Sequence, residues 1–261
     1  MNPYLALARA QARSVLAYRG NFALGLGGFL FQLVALLAVW RVVLSNGPIG
    51  SFDWPQMRSY LLVAFASGVI VGMGADYRMA SRIVQGDVAL DIVKPVDYQR
   101  ARFAEAFGGV WIEVAVVLLV GGVTLVLFGG MAWPGWSETM LFLCSMLLLF
   151  PLKFLVVYMS GLACFWTQHY VGIQWARVAV VNLFSGALIP LAYLPSWLAA
   201  AAKWSPFAGL TSTPGLILVG QAPGREGFVL VAVQLFWVVT MWLAARGLWN
   251  KAMARLTVNG G

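Results

Sequence analysis

Long apolar runs alternate with short polar or proline-rich stretches along this chain. Residues 22–40, 59–75, 114–133, 178–202 and 228–245 contain no charged side chain, and residues 139–166 contain one, Lys153. A helix needs about 20 predominantly apolar residues to cross a bilayer core. The pattern therefore predicts an all-α membrane protein, residues 1–261 forming one transmembrane domain. Its six expected transmembrane helices span 21–43, 57–75, 104–128, 138–165, 170–191 and 226–247. Little chain is left over for a soluble domain.

The segments between the runs have character of their own. In residues 2–19, Leu5, Ala8, Ala12 and Leu16 share a helical face flanked by Arg9 and Arg13. That arrangement predicts an N-terminal interfacial helix whose arginines snorkel to the headgroups. Residues 77–98, between spans 2 and 3, belong to the longest polar stretch of the chain. Here the spacing predicts a helical piece over 77–85, a break at Gly86, and a second short helix over 88–93. Asp87 is placed to cap that second helix, and Pro95 to end it. Ile83, Val84, Val88, Leu90, Ile92 and Val93 give the loop more apolar surface than a solvated tether needs. Either a partner or the membrane surface is expected to cover them. Residues 193–224, between spans 5 and 6, belong to a stretch punctuated by Pro190, Pro195, Pro206, Pro214 and Pro223. No single helix carries prolines at that density. Two short re-entrant helices on the outer side, over 195–204 and 214–219, are expected instead. Non-helical backbone at that depth needs protein or a wet cavity around it.

Composition sharpens this picture. The chain is 61% hydrophobic and 10% charged, where an ordinary soluble domain is about 25% charged. The net charge of +8 would suggest nucleic acid in a soluble protein, but cytoplasmic loops of membrane proteins collect Lys and Arg. With the N-terminus inside, twelve basic residues (Arg177 counted among them) fall inside and four outside. Both termini are therefore expected in the cytoplasm. Cys144 and Cys164 stand roughly 30 Å apart on one expected helix, too far for a disulfide, and read as buried packing residues. Trp133, Trp136, Trp197 and Trp204 fall near the outer ends, as an interfacial belt would, though they could also line an exit path.

Candidate chemistry is sparse. His169 has no Cys, Asp or Glu neighbours with which to hold a metal. Ser160 and Ser185 have no acid-base partner at useful spacing. No carboxylate ring or carbonyl filter suggests a channel. Glu113 and Lys153 are the notable ionisable residues within spans, where such groups are costly. Counted from the ends of spans 3 and 4, they lie roughly 14 and 18 Å deep. That depth match predicts an intramembrane charged pair, with substrate or proton handling as the other reading.

Four stretches carry a family likeness: Gly86-Asp87 with Lys94-Pro95-Val96, residues 163–166, residues 186–197 followed by Ser205-Pro206-Phe207, and Val258 with Asn259-Gly260-Gly261. In this order and spacing the chain resembles a type-2 ABC transporter permease, of the six-span family related to daunorubicin-type antibiotic exporter permeases. It departs from that family's leucine pattern at Asp91 and Ile92. The resemblance implies a cytoplasmic coupling helix that docks on an ATPase through Gly86, Asp87, Val88, Leu90, Asp91, Ile92, Lys94 and Pro95. It also implies a pair of ABC ATPase subunits, a second permease subunit (identical or paralogous) and membrane lipid as partners, with no nucleic acid. The chain has no G-x-x-x-x-G-K-[ST] sequence, so ATP and Mg are expected on the partner ATPase, with no cofactor bound by this chain. On this likeness the chain is not itself an enzyme. It would export a hydrophobic or amphipathic substrate across a bacterial cytoplasmic (inner) membrane. An intramembrane lipid-modifying enzyme and a channel-like or structural subunit stand as alternatives.

Overall fold

The computed structural model describes residues 2–17, 19–45, 47–48, 50–71, 75–128, 134–167 and 169–256. Among them the only regular elements are helices: α1 (Pro3–Ala17), α2 (Arg19–Val43), α3 (Trp54–Val69), α4 (Ala75–Val84), α5 (Val88–Ile92), α6 (Tyr98–Phe128), α7 (Trp136–Leu162), α8 (Cys164–Thr167), α9 (Tyr170–Ser185), α10 (Ser196–Lys203), α11 (Ser212–Leu218) and α12 (Arg225–Leu256). Two 3-10 turns, Leu191–Tyr193 and Ala208–Leu210, sit on either side of α10.

Among the described residues four stretches are long and apolar enough to cross a membrane: Phe22–Val43, Tyr98–Thr124, Trp136–Thr167 and Arg225–Ala254. The expected second and fifth spans fall on α3 and α9, each of 16 residues. At 1.5 Å per residue each is roughly 24 Å long, short of a core about 30 Å thick. Both are cut short by their C-terminal ends. α3 gives way to Ile70 and a left-handed Val71 (φ 52°). α9 ends at Gly186 (φ 79°), where the proline-rich segment begins.

At its other end α3 is fixed by a reciprocal cap. The Asp53 carboxylate accepts from the Gln56 backbone N–H at 2.8 Å, and the Gln56 side chain accepts from the Asp53 N–H at 3.1 Å. Two orphan donors of the first turn are thereby satisfied, and Pro55 costs nothing where no helical bond is due.

α7 is the central helix. Of its most apolar 18 residues 44% are buried, against 17% or less in the other three long helices. α12, α11 and α4 pack around it. Gln234 of α12, 1% exposed, ties the centre together. It accepts from the Ser145 hydroxyl at 2.8 Å and donates to the Ser145 and Gly209 carbonyls, both at 2.9 Å. Interhelical bonds of this kind are worth roughly 0.6–2 kcal/mol each in a membrane. Gln234→Leu should therefore lower the detergent melting temperature of the purified protein, by an amount matching roughly 1–3 kcal/mol. Gln234→Glu should lose at least as much, because an acceptor oxygen then faces the Ser145 and Gly209 carbonyls.

The proline-rich segment contains two short helices where the prolines predict them, α10 and α11. α11 is buried along almost its whole length against α3 and α7. Tyr60 of α3 lies across it and donates to the Gly186 carbonyl at 2.9 Å. Around α11 the backbone is thus enclosed by protein, while Leu188, Ile189, Trp197 and Trp204 of the same segment stay exposed.

α1 lies along the first half of α6. The approach is close enough that a Cβ at Gly108 would overlap the Ala8 carbonyl. Ala8, Gln11 and Val15 face α6, while Leu5 and Leu16 stay exposed beside Arg9 and Arg13. The expected apolar face is therefore divided: Ala8 belongs to the helix contact and the two leucines face outward.

Other expectations need correction. Asp87 adopts a helical conformation and makes no cap bond; left-handed Gly86 (φ 81°) supplies the break instead. Cys164 is buried but Cys144 is exposed. Arg177, counted among the inside residues, sits mid-way along α9. Trp136, Trp197 and Trp204 are exposed, as a belt requires. Trp133 and the 258–261 motif lie outside the described residues.

Candidate functional site

Three features carry the chemistry, and they adjoin one another. The first is the loop formed by α4 and α5. α4 is strongly amphipathic: Met79, Ala80 and Ile83 enter the core beside Phe154, Leu155 and Tyr158 of α7. Gly86 then turns the chain so that α5 presents two unlike faces. Val88 (1% exposed) and Asp91 (4%) point inward, three residues apart. Leu90 (67%), Ile92 (39%) and Val93 (84%) point out, with Gly86, Asp87, Lys94 and Pro95 exposed around them. Of the residues expected on the docking surface, Val88 and Asp91 therefore face the body of the protein.

Asp91 is the hub of an ionic cluster. Its carboxylate meets Arg82 at 2.9 Å, Lys94 at 2.8 Å and Arg102 at 3.7 Å. Arg102 also reaches Glu105 at 2.9 Å and lies over the Tyr98 ring, 5.1 Å from its centroid. Burial works against the charged carboxylate. The Lys94 hydrogen bond and the fields of Arg102, Arg82 and Lys94 outweigh it, holding the Asp91 carboxyl below the usual carboxylate range. The cluster ties α5 to α4 and α6. The next turn of α6 is tied to α12 in turn: Tyr98 stacks on Trp249 at 4.0 Å, and Gln99 donates to the Trp242 carbonyl at 3.2 Å.

The second feature is the C-terminal end of α3. In a continuing helix the Ser67 carbonyl would accept from the Val71 N–H. Here the Val71 N–H donates to Glu113 Oε2 at 2.8 Å, and Lys153 Nζ donates to the Ser67 carbonyl at 2.6 Å. An anion and a cation thus take up the two halves of one interrupted backbone bond. Both side chains are buried. Glu113 and Lys153 thus each hold the C-terminal end of α3, through backbone groups four residues apart.

The third feature is a cavity of about 220 Å³ between the α2–α3 and α7–α9 helix pairs. Phe29, Leu33, Leu36, Leu61 and Phe65 form its apolar wall. Lys153, Ser67 and Gln32 reach it from three helices, and α9 contributes Gln174, Arg177, Asn182 and Ser185. These four occupy one helical face of α9, a polar stripe at i, i+3, i+8 and i+11 that was present in the sequence.

The residues of the enzyme readings lie elsewhere or are committed locally. His169 is exposed at the start of α9. The Ser160 hydroxyl donates to the Val157 carbonyl at 2.7 Å, and Ser185 Oγ accepts from the Ala187 N–H at 3.3 Å. Among the described residues no three His, Cys, Asp or Glu side chains gather as metal ligands.

Compared with known families, residues 29–260 match the profile of the ABC-2 family transporter proteins. No curated protein matches the chain. The match begins within α2 and runs through α12. The chain belongs to the ABC-2 family of transporters and is a type-2 ABC permease, the membrane component of such a system.

Proposed function

We propose that this chain is the permease of an ATP-driven exporter, moving an amphipathic or hydrophobic substrate out of the cytoplasm or the inner leaflet. The observation that carries this reading is the outer face of α5: three large apolar side chains exposed on a short helix that an ionic cluster holds in place. Exposed apolar groups rimmed by charge mark a protein interface, and the family supplies the partner, an ABC ATPase. In this reading α5 is the coupling helix, ATP and Mg bind to a pair of ATPase subunits, and a second permease subunit completes the pathway. α3 and α9 count as spans 2 and 5, giving six, with α1 at the inner surface and α10 and α11 at the outer. The excess of Lys and Arg in the α4–α5 loop and near both ends favours cytoplasmic termini, in a bacterial inner membrane.

Copurification tests it. Tagged permease, extracted mildly from its native membrane, should retain an ABC ATPase identified by mass spectrometry. Leu90→Asp or Val93→Asp should cut the retained ATPase at least tenfold, as loss of an interface hot spot does, while the permease still elutes as a folded protein. Full retention by both folded variants would count against the assignment of α5.

A further inference from the structure

Two cations face the cavity beside α9, one of them Lys153, which also offsets Glu113 at the end of α3. Lys153 and Arg177 line it, and no Asp or Glu stands among the described lining residues. Ionisable groups at membrane depth face the protein interior or a wet cavity, and low-dielectric walls focus the field of such charges on whatever enters. The remaining polar groups on the lining, Gln174, Asn182 and Gln32, are amides that can donate to an oxyanion without charge of their own. We propose that this cavity takes the anionic headgroup, phosphate or carboxylate, of an amphipathic molecule. This rests on the permease reading above and names its substrate class.

Size and shape agree with a headgroup. At about 220 Å³ the cavity is smaller than pockets that enclose whole ligands, roughly 300–1,000 Å³. The charged end fits within it, and the hydrocarbon chain lies along Phe29, Leu33 and Leu36 of α2 toward the bilayer. Arg177 is the group best suited to select the anion, because a guanidinium fork matches phosphate and carboxylate oxygens two at a time. Lys153 stands beside it on the neighbouring helix α7, and its bond to the Ser67 carbonyl connects the cavity with the interrupted end of α3.

The test uses the full chain in phosphatidylcholine nanodiscs and three probes with one chain length: dodecyl phosphate, dodecyltrimethylammonium and dodecanol. Dodecyl phosphate should bind saturably and at least tenfold tighter than the other two. Arg177→Gln should weaken it at least tenfold. Asn182→Glu keeps both native cations but puts a carboxylate on the same stripe, so it carries the test if Arg177→Gln fails to fold. It too should weaken dodecyl phosphate and favour the ammonium probe. Equal affinity for the three probes, or dodecyl phosphate binding unchanged in folded Asn182→Glu, overturns the proposal. Repeating the titration in discs containing phosphatidylglycerol separates two sources of the same chemistry. Competition by that lipid assigns the cavity to a membrane headgroup, and undiminished binding assigns it to a separate amphipath. The permease reading is tested independently by ATPase copurification. A chain that retains its ATPase yet binds all three probes alike loses only the anion assignment.

Discussion

Lys153→Met should destabilise the protein by roughly 3–5 kcal/mol, the cost of leaving a buried charge uncompensated. The change strands the Glu113 carboxylate and leaves the buried Ser67 carbonyl without its ammonium donor. Glu113→Gln should cost less, because the amide oxygen can still accept from the Val71 N–H. The informative variant is the double one, Glu113→Gln with Lys153→Met. Neither charge is then stranded, and the Ser67 carbonyl and Val71 N–H are free to bond to each other and extend α3. Folded yield and melting temperature of the double variant should recover to within about 1–2 kcal/mol of the parent, the cost of one imperfect buried hydrogen bond. Strictly additive losses would mean that the two side chains act on separate places, and the shared role at the end of α3 would fall.

Asp91→Asn is the second large effect, and it should act on a surface the residue does not belong to. Three cations converge on one buried carboxylate; neutralising it leaves them facing each other. Hydrogen bonds to charged groups are worth about 1.5–3 kcal/mol, so a local loss of about 2–3 kcal/mol is expected. It should appear as faster hydrogen exchange across α4 and α5, with the long helices unchanged. Retention of the ATPase should fall with it, although Asp91 itself is shielded from any partner. The pH dependence has a definite sign. The folded-state carboxyl lies below its ordinary value of 3.8, so its contribution is fully present above that value and is lost as pH falls through the lower folded-state value. Exchange in α5 should therefore be flat in stability terms from pH 5 to 8 in the parent. A parent loop that loosens already between pH 7 and 6 would rule Asp91 out as its anchor.

Much of this was legible in the residues. The long apolar runs predict α2, α6, α7 and α12, because each carries enough apolar length to leave water whatever its neighbours do. Gly86 and Pro95 mark the loop helix, and Pro195 and Pro214 mark α10 and α11, because those residues limit the backbone locally. What local chemistry did not fix was direction. A five-residue helix is too short to show a periodicity, so nothing in residues 88–92 said that Asp91 would turn inward and Leu90 outward. Arg177 was read only as a cytoplasmic-side charge in the fifth expected span, although Gln174, Asn182 and Ser185 on the same face already described a polar stripe within that helix. The depth of Glu113 and Lys153 could be estimated from spacing. Their shared target could not, since it exists only because Val71, a β-branched residue, adopts a left-handed conformation that such residues rarely take.

The clamp around Gln234 has a consequence for biosynthesis. Ser145 precedes its partner by 89 residues. At ribosomal rates of about 5–20 residues per second, α7 waits roughly 5–20 s in the translocation machinery before α12 is made. During that interval the most buried helix holds the Ser145 hydroxyl without the Gln234 amide that receives it. Completion of the chain, more than insertion of any single helix, is the step that commits this protein to its final arrangement.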